Sequence, residues 1–260
     1  MFVYPQLSTG ALVQFPVYKV RRPRTIENAL ADMSSIKYAD PDGEFTDWQV
    51  EYSGLSDDEA SALADFFAMT EGYLQTFCFL DPTANLFAWS DQLSNAVWNK
   101  GPFLGLECAI ADPMGGTNAW RLTNTGAGPQ TISQTLSVPG GYQYCLSVYS
   151  RAAQPGVVSF LRGNDQVERV LCTEWSRITF SGSGDPTAET VEFGIELPAG
   201  ECVDVFGLQV EPQPNASAYK SSTTGGVYAN AYFRDDTLAF TATGLNRHSV
   251  TVNIRHAKRL

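Results

Sequence analysis

The chain has 260 residues, a formal net charge of −11 and a charged fraction of 17%. This length allows a sizeable hydrophobic core in one or two domains. The acidic balance argues against DNA or RNA as a partner, because phosphate binding requires a basic surface. No apolar run has the length of a membrane span, and residues 1–10 lack the pattern of a signal peptide. We therefore expect no nucleic-acid partner and no membrane insertion.

The segment at residues 48–82 predicts two strands that flank a helix. Trp48, Val50 and Tyr52 alternate with polar neighbours, which is the period of a strand with one buried face. Residues 75–80 have the apolar composition of a second strand, and Asp81-Pro82 closes it. This segment indicates a firmly specified architecture and contains no catalytic motif.

The helix between these strands has clear start and stop signals. Ser56 and Glu59 have the spacing of a capping box, in which each side chain bonds the backbone amide of the other residue. Gly72 supplies a helix stop. The spacing of the apolar residues predicts one buried face, made of Ala60, Leu63, Ala64 and Phe67.

Residues 85–214 differ from the segment before them. They contain short strand patterns separated by Gly, Pro and Thr, and no helical pattern of any length. Regularly spaced strands with turn signals between them are typical of an antiparallel β-sandwich. We predict that this region forms such a sandwich.

The C-terminal residues 215–260 again show strong alternation, in the strand patterns at 237–243 and 249–255. They are too short to form a stable β domain alone. We therefore predict a mainly β protein in which residues 1–84 and 215–260 form one discontinuous domain and residues 85–214 are inserted. We expect the C-terminal strands to join the sheet of the first segment. A linear arrangement of three parts is the alternative, but it leaves two undersized fragments.

Two basic clusters stand out on this acidic chain. The residues we consider for subunit contacts are Lys19, Arg21, Arg22 and Arg24 near the start and Arg255 and Arg259 at the end. Clusters of this kind are commonly solvated, and on an acidic protein they also suit contact with the acidic surface of a neighbouring subunit. The two interpretations are level for the first cluster, and the solvated one is favoured for the second.

Aromatic residues of the inserted region are candidates for glycan binding, because an aromatic ring suits the C–H face of a sugar ring. Trp89 and Trp98 flank a polar stretch, and Tyr142 follows a Pro-Gly-Gly turn. The alternative for each is packing in the core of the sandwich. Trp120 and Trp175 belong to strand patterns, and we expect them in the core.

The sequence gives no support for catalysis. Its two histidines, His248 and His256, both lie near the C-terminus. Nucleophile-elbow, phosphate-loop, dinucleotide and zinc-protease motifs are absent from the sequence. The acidic group at residues 57–59 is explained by helix capping, and the acids of residues 40–44 by a turn. We therefore expect a protein that is not an enzyme and binds no metal or other cofactor.

Both ends of the chain resemble the distal tail proteins, or tail-tip adaptors, of long-tailed bacteriophages and the equivalent subunits of gene-transfer agents. The matching stretches are TGALVQFP, WQVEYSGLSDDE, GYLQTFCFLDP and HSVTVNIR. The resemblance implies a homo-oligomeric ring, a hexamer, that joins the tail-tube protein to the tip or baseplate hub. It also implies a location in the virion tail and assembly in the cytoplasm of the bacterial host.

The inserted region resembles the jelly-roll modules of the carbohydrate-binding type that decorate phage tail and fibre proteins. The matching stretches are NLFAWSDQLSNAVWNK, TNAWRLTNTG, WSRITFSGSG and VDVFGLQVEP followed by AYKSST. The resemblance implies an outward-pointing module that contacts host-surface glycans. We predict a structural subunit of a phage-type tail tip, and the alternative is a glycan-binding adhesion protein carried on a tail scaffold.

Overall fold

The computed structural model describes residues 2–258, and the chain divides into two compact units. The first unit contains Leu12–Phe79 together with the chain up to Ser8 and from Tyr228 onward. The second contains Thr9–Ala11 and Leu80–Val227. The domain boundaries expected at 84/85 and 214/215 stay a prediction.

Within residues 2–258 the chain forms sixteen strands and one helix, which confirms the mainly β prediction. The elements in chain order are β1 (Val17–Ala29), β2 (Ser35–Leu55), α1 (Asp57–Met69), β3 (Phe77–Leu80), β4 (Asn99–Lys100), β5 (Leu104–Ile110), β6 (Ala119–Asn124), β7 (Gln130–Leu136), β8 (Tyr144–Ala152), β9 (Gly156–Arg162), β10 (Asp165–Leu171), β11 (Ser176–Gly182), β12 (Val191–Leu197), β13 (Cys202–Glu211), β14 (Val227–Phe233), β15 (Thr241–Gly244) and β16 (Arg247–Ala257).

The first unit is built on a six-stranded sheet in the order β1-β2-β16-β14-β3, with β15 paired to β16. The strands β2 and β16 are antiparallel, and Val252 lies opposite Val50. The prediction that the C-terminal strands join the sheet of the first segment is therefore confirmed. Trp48, Val50 and Tyr52 are buried, as their alternation predicts.

The helix α1 begins at the capping box that the sequence predicts. The Ser56 side chain accepts from the Glu59 amide, and the Glu59 carboxylate accepts from the Ser56 amide at 3.1 Å. The buried face differs by one position, because Phe66 is 6% exposed whereas Phe67 is half-buried and packs against Phe233. No helix in the described part of the chain has the length and apolar composition for crossing a membrane.

The second unit is an antiparallel β-sandwich of two five-stranded sheets, as predicted. One sheet has the order β10-β9-β12-β7-β4, and the other has the order β11-β8-β13-β6-β5. The two sheets meet through aromatic side chains, since the rings of Tyr144 on β8 and Phe193 on β12 lie 5.3 Å apart. Both side chains are fully buried.

The first and last segments of the second unit are held together by buried polar groups. The amide of Asp81 donates to the carbonyl of Gly226 at 2.8 Å. Asn85 is fully buried, donates to the Leu208 carbonyl at 2.8 Å and accepts from the Val210 amide at 3.1 Å. The two chain ends of this unit therefore lie close together, as an inserted domain requires.

Candidate assembly arm and ligand-binding face

The first candidate site is the distal half of the β1–β2 hairpin, residues 24–40, which we call the arm. Every residue in 18–39 is exposed. Arg24 lies opposite Asp40 and Ala29 lies opposite Ser35, so the pairing continues to the tip. A two-stranded hairpin of this kind is marginally stable by itself and needs a surface to pack on.

One face of the arm carries apolar side chains beyond the Arg24–Asp40 ion pair at its base, and the other face is polar. Ile26 and Tyr38 lie directly opposite each other, and side chains two residues apart along a strand point to the same face. Glu27 and Lys37 lie opposite each other on the other face and form an ion pair at 3.7 Å. The exposed apolar side chains of the arm and its turn are Ile26, Leu30, Met33, Ile36 and Tyr38.

The basic residues considered for subunit contacts lie at the base of the hairpin (Lys19, Arg21 and Arg22), at the first position of the arm (Arg24) and on β16 (Arg255). Within residues 2–258 their carboxylate partners belong to the same unit. The ion pairs are Arg21 with Glu44, Arg22 with Asp47, Arg24 with Asp40 and Arg255 with Asp47. The Lys19 ammonium lies 5.7 Å from the centre of the Trp48 ring, and Arg259 lies outside the described residues. Their role in subunit contacts stays a prediction.

Asp47 is the centre of this charge cluster. It is 6% exposed and accepts two hydrogen bonds from Arg255, at 2.6 and 3.0 Å. Burial by itself would raise the pKa of Asp47, but the bonds and charge of Arg255, with the charge of Arg234 and a hydrogen bond from Arg22, hold that pKa below its usual value. Ion pairs between charged side chains of this cluster therefore link β2 to β16.

The three glycan-binding candidates occupy different environments. Trp98 is 2% exposed, packs on Phe87 at 4.9 Å and donates its indole N–H to the Trp89 carbonyl. The prediction of a sugar-stacking role for Trp98 is therefore wrong, since its ring belongs to the core of the sandwich. Trp89 and Tyr142 are half-buried, and their glycan-binding role stays a prediction.

The second candidate site is the outward face of β11, β8, β13 and β6, which we call the arginine face. Asp204 on β13 lies between Arg151 on β8 and Arg121 on β6 in the strand register. Two residues before Arg151 on β8, Tyr149 lies opposite Arg177 on β11. Trp175, expected in the core, is half-buried and stacks on Arg151 of this face, and so that expectation is wrong. Trp120 is half-buried, and its place in the core stays a prediction.

The side chains of the arginine face are held in place by one another. Arg121 donates two hydrogen bonds to Asp204, at 2.8 and 3.2 Å, and Arg151 donates a third at 3.0 Å. The Arg151 guanidinium stacks 4.7 Å from the centre of the Trp175 ring, and the Arg177 guanidinium lies 5.3 Å from that of Tyr149. The hydrogen bond to Asp204 raises the pKa of the Arg121 guanidinium.

This arrangement combines aromatic rings with fixed hydrogen-bond donors on a half-exposed surface. Such a surface suits a ligand that has both an apolar ring face and polar groups. The alternation of Tyr149 and Arg151 along β8 is visible in the sequence, but their neighbours on β13 depend on the strand register. Within residues 2–258, no group of three or more His, Cys, Asp and Glu side chains is arranged to hold a metal ion.

Comparisons with known proteins give distant structural similarities. The chain is similar to the enzymatically active domain of bacteriophage CBA120 tailspike protein 4, with 12% identity and a TM-score of 0.39, covering 51% of this chain and 22% of that one. It is also similar to the CBM22-1 xylan-binding domain of Paenibacillus barcinonensis Xyn10C, with 13% identity and a TM-score of 0.41, covering 52% of this chain and 99% of that one. Similarities this distant do not transfer a ligand or an activity to this chain.

A third similar structure is TmCBM61 in complex with β-1,4-galactotriose, with 12% identity and a TM-score of 0.39. The similar region covers 49% of this chain and 98% of the TmCBM61 chain. No family model matches the sequence, and no curated protein matches it.

Proposed function

We propose that the protein is a structural subunit of a phage-type tail tip, in which the first unit joins neighbouring copies into a ring. The observation that carries this proposal is the apolar face of the arm. Exposed apolar patches with polar borders are typical of protein–protein contacts. The resemblance of both chain ends to distal tail proteins agrees with such a role.

A second copy of the chain is the proposed partner of this apolar face. Head-to-tail contacts between different surfaces of identical subunits close into rings. Four of the five charged residues of the arm form ion pairs within it, Arg24 with Asp40 and Lys37 with Glu27, and the fifth, Asp32, accepts hydrogen bonds from Ser34 at the turn. Its contact with the neighbouring copy is therefore apolar, and we expect it to persist at high salt because screening weakens exposed charge pairs.

The proposal places the ring, a hexamer, between the tail-tube protein and the tip or baseplate hub. The protein is then a virion component that assembles in the cytoplasm of the bacterial host. It acts by assembly, without catalysis, without a membrane and without a nucleic-acid partner. The mass of the assembled ring, measured by sedimentation equilibrium, tests the number of subunits.

The experiment that tests assembly compares two double variants of the full chain by sedimentation velocity. Ile26→Ser with Tyr38→Ser removes apolar side chains from one face of the arm. Glu27→Ser with Lys37→Ser is the matched control, because it changes the opposite face and leaves the net charge unchanged. We expect the parent and the control to form the same assembly at 0.1 and 1 M salt, and the apolar variant to remain monomeric.

Two outcomes contradict the proposed assembly. The first is a parent protein that stays monomeric at every concentration tested. The second is an apolar variant that assembles at the same concentration as the control, because the apolar face then has no part in the contact.

Binding of host-surface glycans is a second proposed role, and the arginine face favours it. Trp175 and Tyr149 supply ring surfaces, and the arginines beside them supply directed donors. A glycan array probed with the labelled full chain tests this role. We expect saturable binding that Trp175→Ala abolishes and that Phe103→Ala preserves, because Phe103 is an exposed aromatic residue of the same unit and lies outside the arginine face. An array without any signal contradicts the role.

A further inference from the structure

The arginine face carries a local excess of positive charge on an acidic protein. The chain has a net charge of −11, yet this face presents Arg121, Arg151 and Arg177 against two carboxylates, those of Asp204 and of Glu107, which lies opposite Arg121 on the edge strand β5. A third carboxylate in the strand register, that of Glu211 opposite Cys145, is fully buried and paired with Lys220. A cationic face on an otherwise acidic chain attracts anionic ligands selectively.

Each arginine keeps donor groups that the described residues do not use. Arg151 bonds Asp204 through Nε alone, which leaves both terminal nitrogens without a hydrogen-bond partner in residues 2–258. Arg121 uses Nε and Nη2, and its Nη1 makes no hydrogen bond there. Arg177 gives one bond, from Nη2 to the Ser147 hydroxyl at 2.9 Å. Terminal guanidinium nitrogens match the two oxygens of a carboxylate in spacing and charge.

The guanidinium groups are also fixed in orientation before a ligand arrives. Asp204 is 6% exposed, so the bonds that it accepts are largely shielded from water. Trp175 stacks on the Arg151 guanidinium from the side, at 4.7 Å. A fixed side chain loses less conformational freedom on binding than a mobile one, which favours affinity.

We infer that the arginine face binds glycans that contain carboxylated sugars, such as uronic acids, and discriminates against their neutral counterparts. This inference rests on the proposed glycan-binding role. The aromatic rings take the C–H face of the sugar, and the Arg151 and Arg121 donors take its carboxylate. A neutral sugar of the same shape offers the rings the same surface but no charge to the arginines.

The test uses a panel of soluble uronate polymers, namely polygalacturonate, alginate and a glucuronan, each paired with its carboxyl-reduced form. The two members of a pair share linkage and length and differ in the carboxylate alone. Affinity electrophoresis of the full chain measures binding to each polymer. We expect binding to at least one acidic polymer and about tenfold weaker binding to its reduced form, the size expected of one charge-assisted hydrogen bond.

Matched variants connect this preference to the arginine face. Arg151→Gln keeps an amide donor but loses the charge, and we expect about tenfold weaker binding to the acidic polymer with unchanged binding to the reduced one. Arg169→Gln is the control, because Arg169 is an exposed arginine on β10 of the other sheet. Trp175→Ala should abolish binding to both members of the pair. Thermal melts of each variant establish that it remains folded.

The outcomes separate the inference from the role on which it rests. Equal binding to acidic and reduced polymers overturns the carboxylate preference and leaves glycan binding intact. Loss of binding in Arg169→Gln equal to that in Arg151→Gln also overturns it, because the attraction is then a property of the net charge. The absence of binding to every polymer of the panel and to the glycan array overturns both.

Discussion

The two halves of the β1–β2 hairpin have the same alternating pattern but opposite surroundings. In the proximal half, Trp48, Val50 and Tyr52 are each at most 2% exposed. In the distal half, Ile36 and Tyr38 are 40% and 51% exposed. The strand β16 pairs with β2 from Phe45 to Leu55 and leaves the distal half without a second neighbour.

The difference shows that apolar alternation predicts a strand with a face to bury, but not the molecule that buries it. In the proximal half, the covering residues come from the same chain, since Phe79 and Tyr228 contact the Trp48 ring at 5.1 and 4.8 Å. In the distal half, the proposed cover is a neighbouring copy. Stability of the folded chain should therefore depend on the proximal half, and association on the distal half.

The largest expected effect is that of Trp48→Ala in the proximal half. Replacement of a fully buried aromatic side chain by alanine typically lowers the free energy of unfolding by about 3 to 5 kcal/mol. Urea denaturation, monitored through the hydrogen exchange of the β2 and β16 amides, measures this change within the first unit. A loss below about 1 kcal/mol would contradict the assignment of the proximal half to the core.

The second prediction concerns the charge cluster at the junction of the two halves. Asp47→Asn removes the charge that Arg255, Arg22 and Arg234 share. Hydrogen bonds to charged groups contribute roughly 1.5 to 3 kcal/mol, and we expect a loss of that size in the free energy of unfolding. Asp42→Asn is the control, because Asp42 is exposed on the same strand. Equal effects of the two variants would show that the cluster contributes nothing specific.

The same cluster predicts the pH dependence of the first unit. The pKa of Asp47 is lowered in the folded state, so the unfolded chain binds more protons in acid. Its stabilising contribution is complete above the ordinary aspartate pKa of about 3.9 and is lost as the pH falls through the lower folded value. As the pH is lowered below about 4, the free energy of unfolding should therefore decrease. This decrease should be less steep in Asp47→Asn. Parallel pH profiles for the two proteins would contradict this.

Local signals predicted the parts of the fold that depend on local contacts. The capping box at Ser56 and Glu59 requires residues three apart, and it forms as predicted. Local signals did not determine which of Phe66 and Phe67 is buried. Two adjacent aromatic residues are compatible with more than one rotation of the helix about its axis. Packing against Tyr4 and Phe77, which contact Phe66 at 5.8 and 5.1 Å, sets that rotation.

Sequence patterns did not predict the candidate ligand-binding face. Trp98 follows a polar stretch that favours exposure, yet it packs on Phe87 in the core. Trp175 precedes a strand and lies on the surface, where it stacks on Arg151. Strand register decides which side chains become neighbours on a sheet, and register between strands as distant as β6 and β13 leaves no mark in a single sequence.

A smaller effect is expected at the helix that follows β2. Ser56→Ala removes the bond from the Glu59 amide to the Ser56 hydroxyl, at 3.2 Å, and should cost about 1 kcal/mol. Ser61→Ala is the matched control, because Ser61 is exposed within α1 and alanine favours a helix interior. The control should be neutral or slightly stabilising in thermal melts, and a loss equal to that of Ser56→Ala would contradict the capping role.

The smallest effect on stability is expected in the distal half. Tyr38→Ser changes a side chain that is 51% exposed and lies opposite Ile26 in the arm. Exposed substitutions usually change the free energy of unfolding by no more than about 0.5 kcal/mol, so the melting curve of the dilute protein should stay unchanged. Association should nevertheless weaken in the same sample, as measured by sedimentation at high concentration. A variant that loses stability and association together would show that the arm is part of the fold rather than a contact for a second copy.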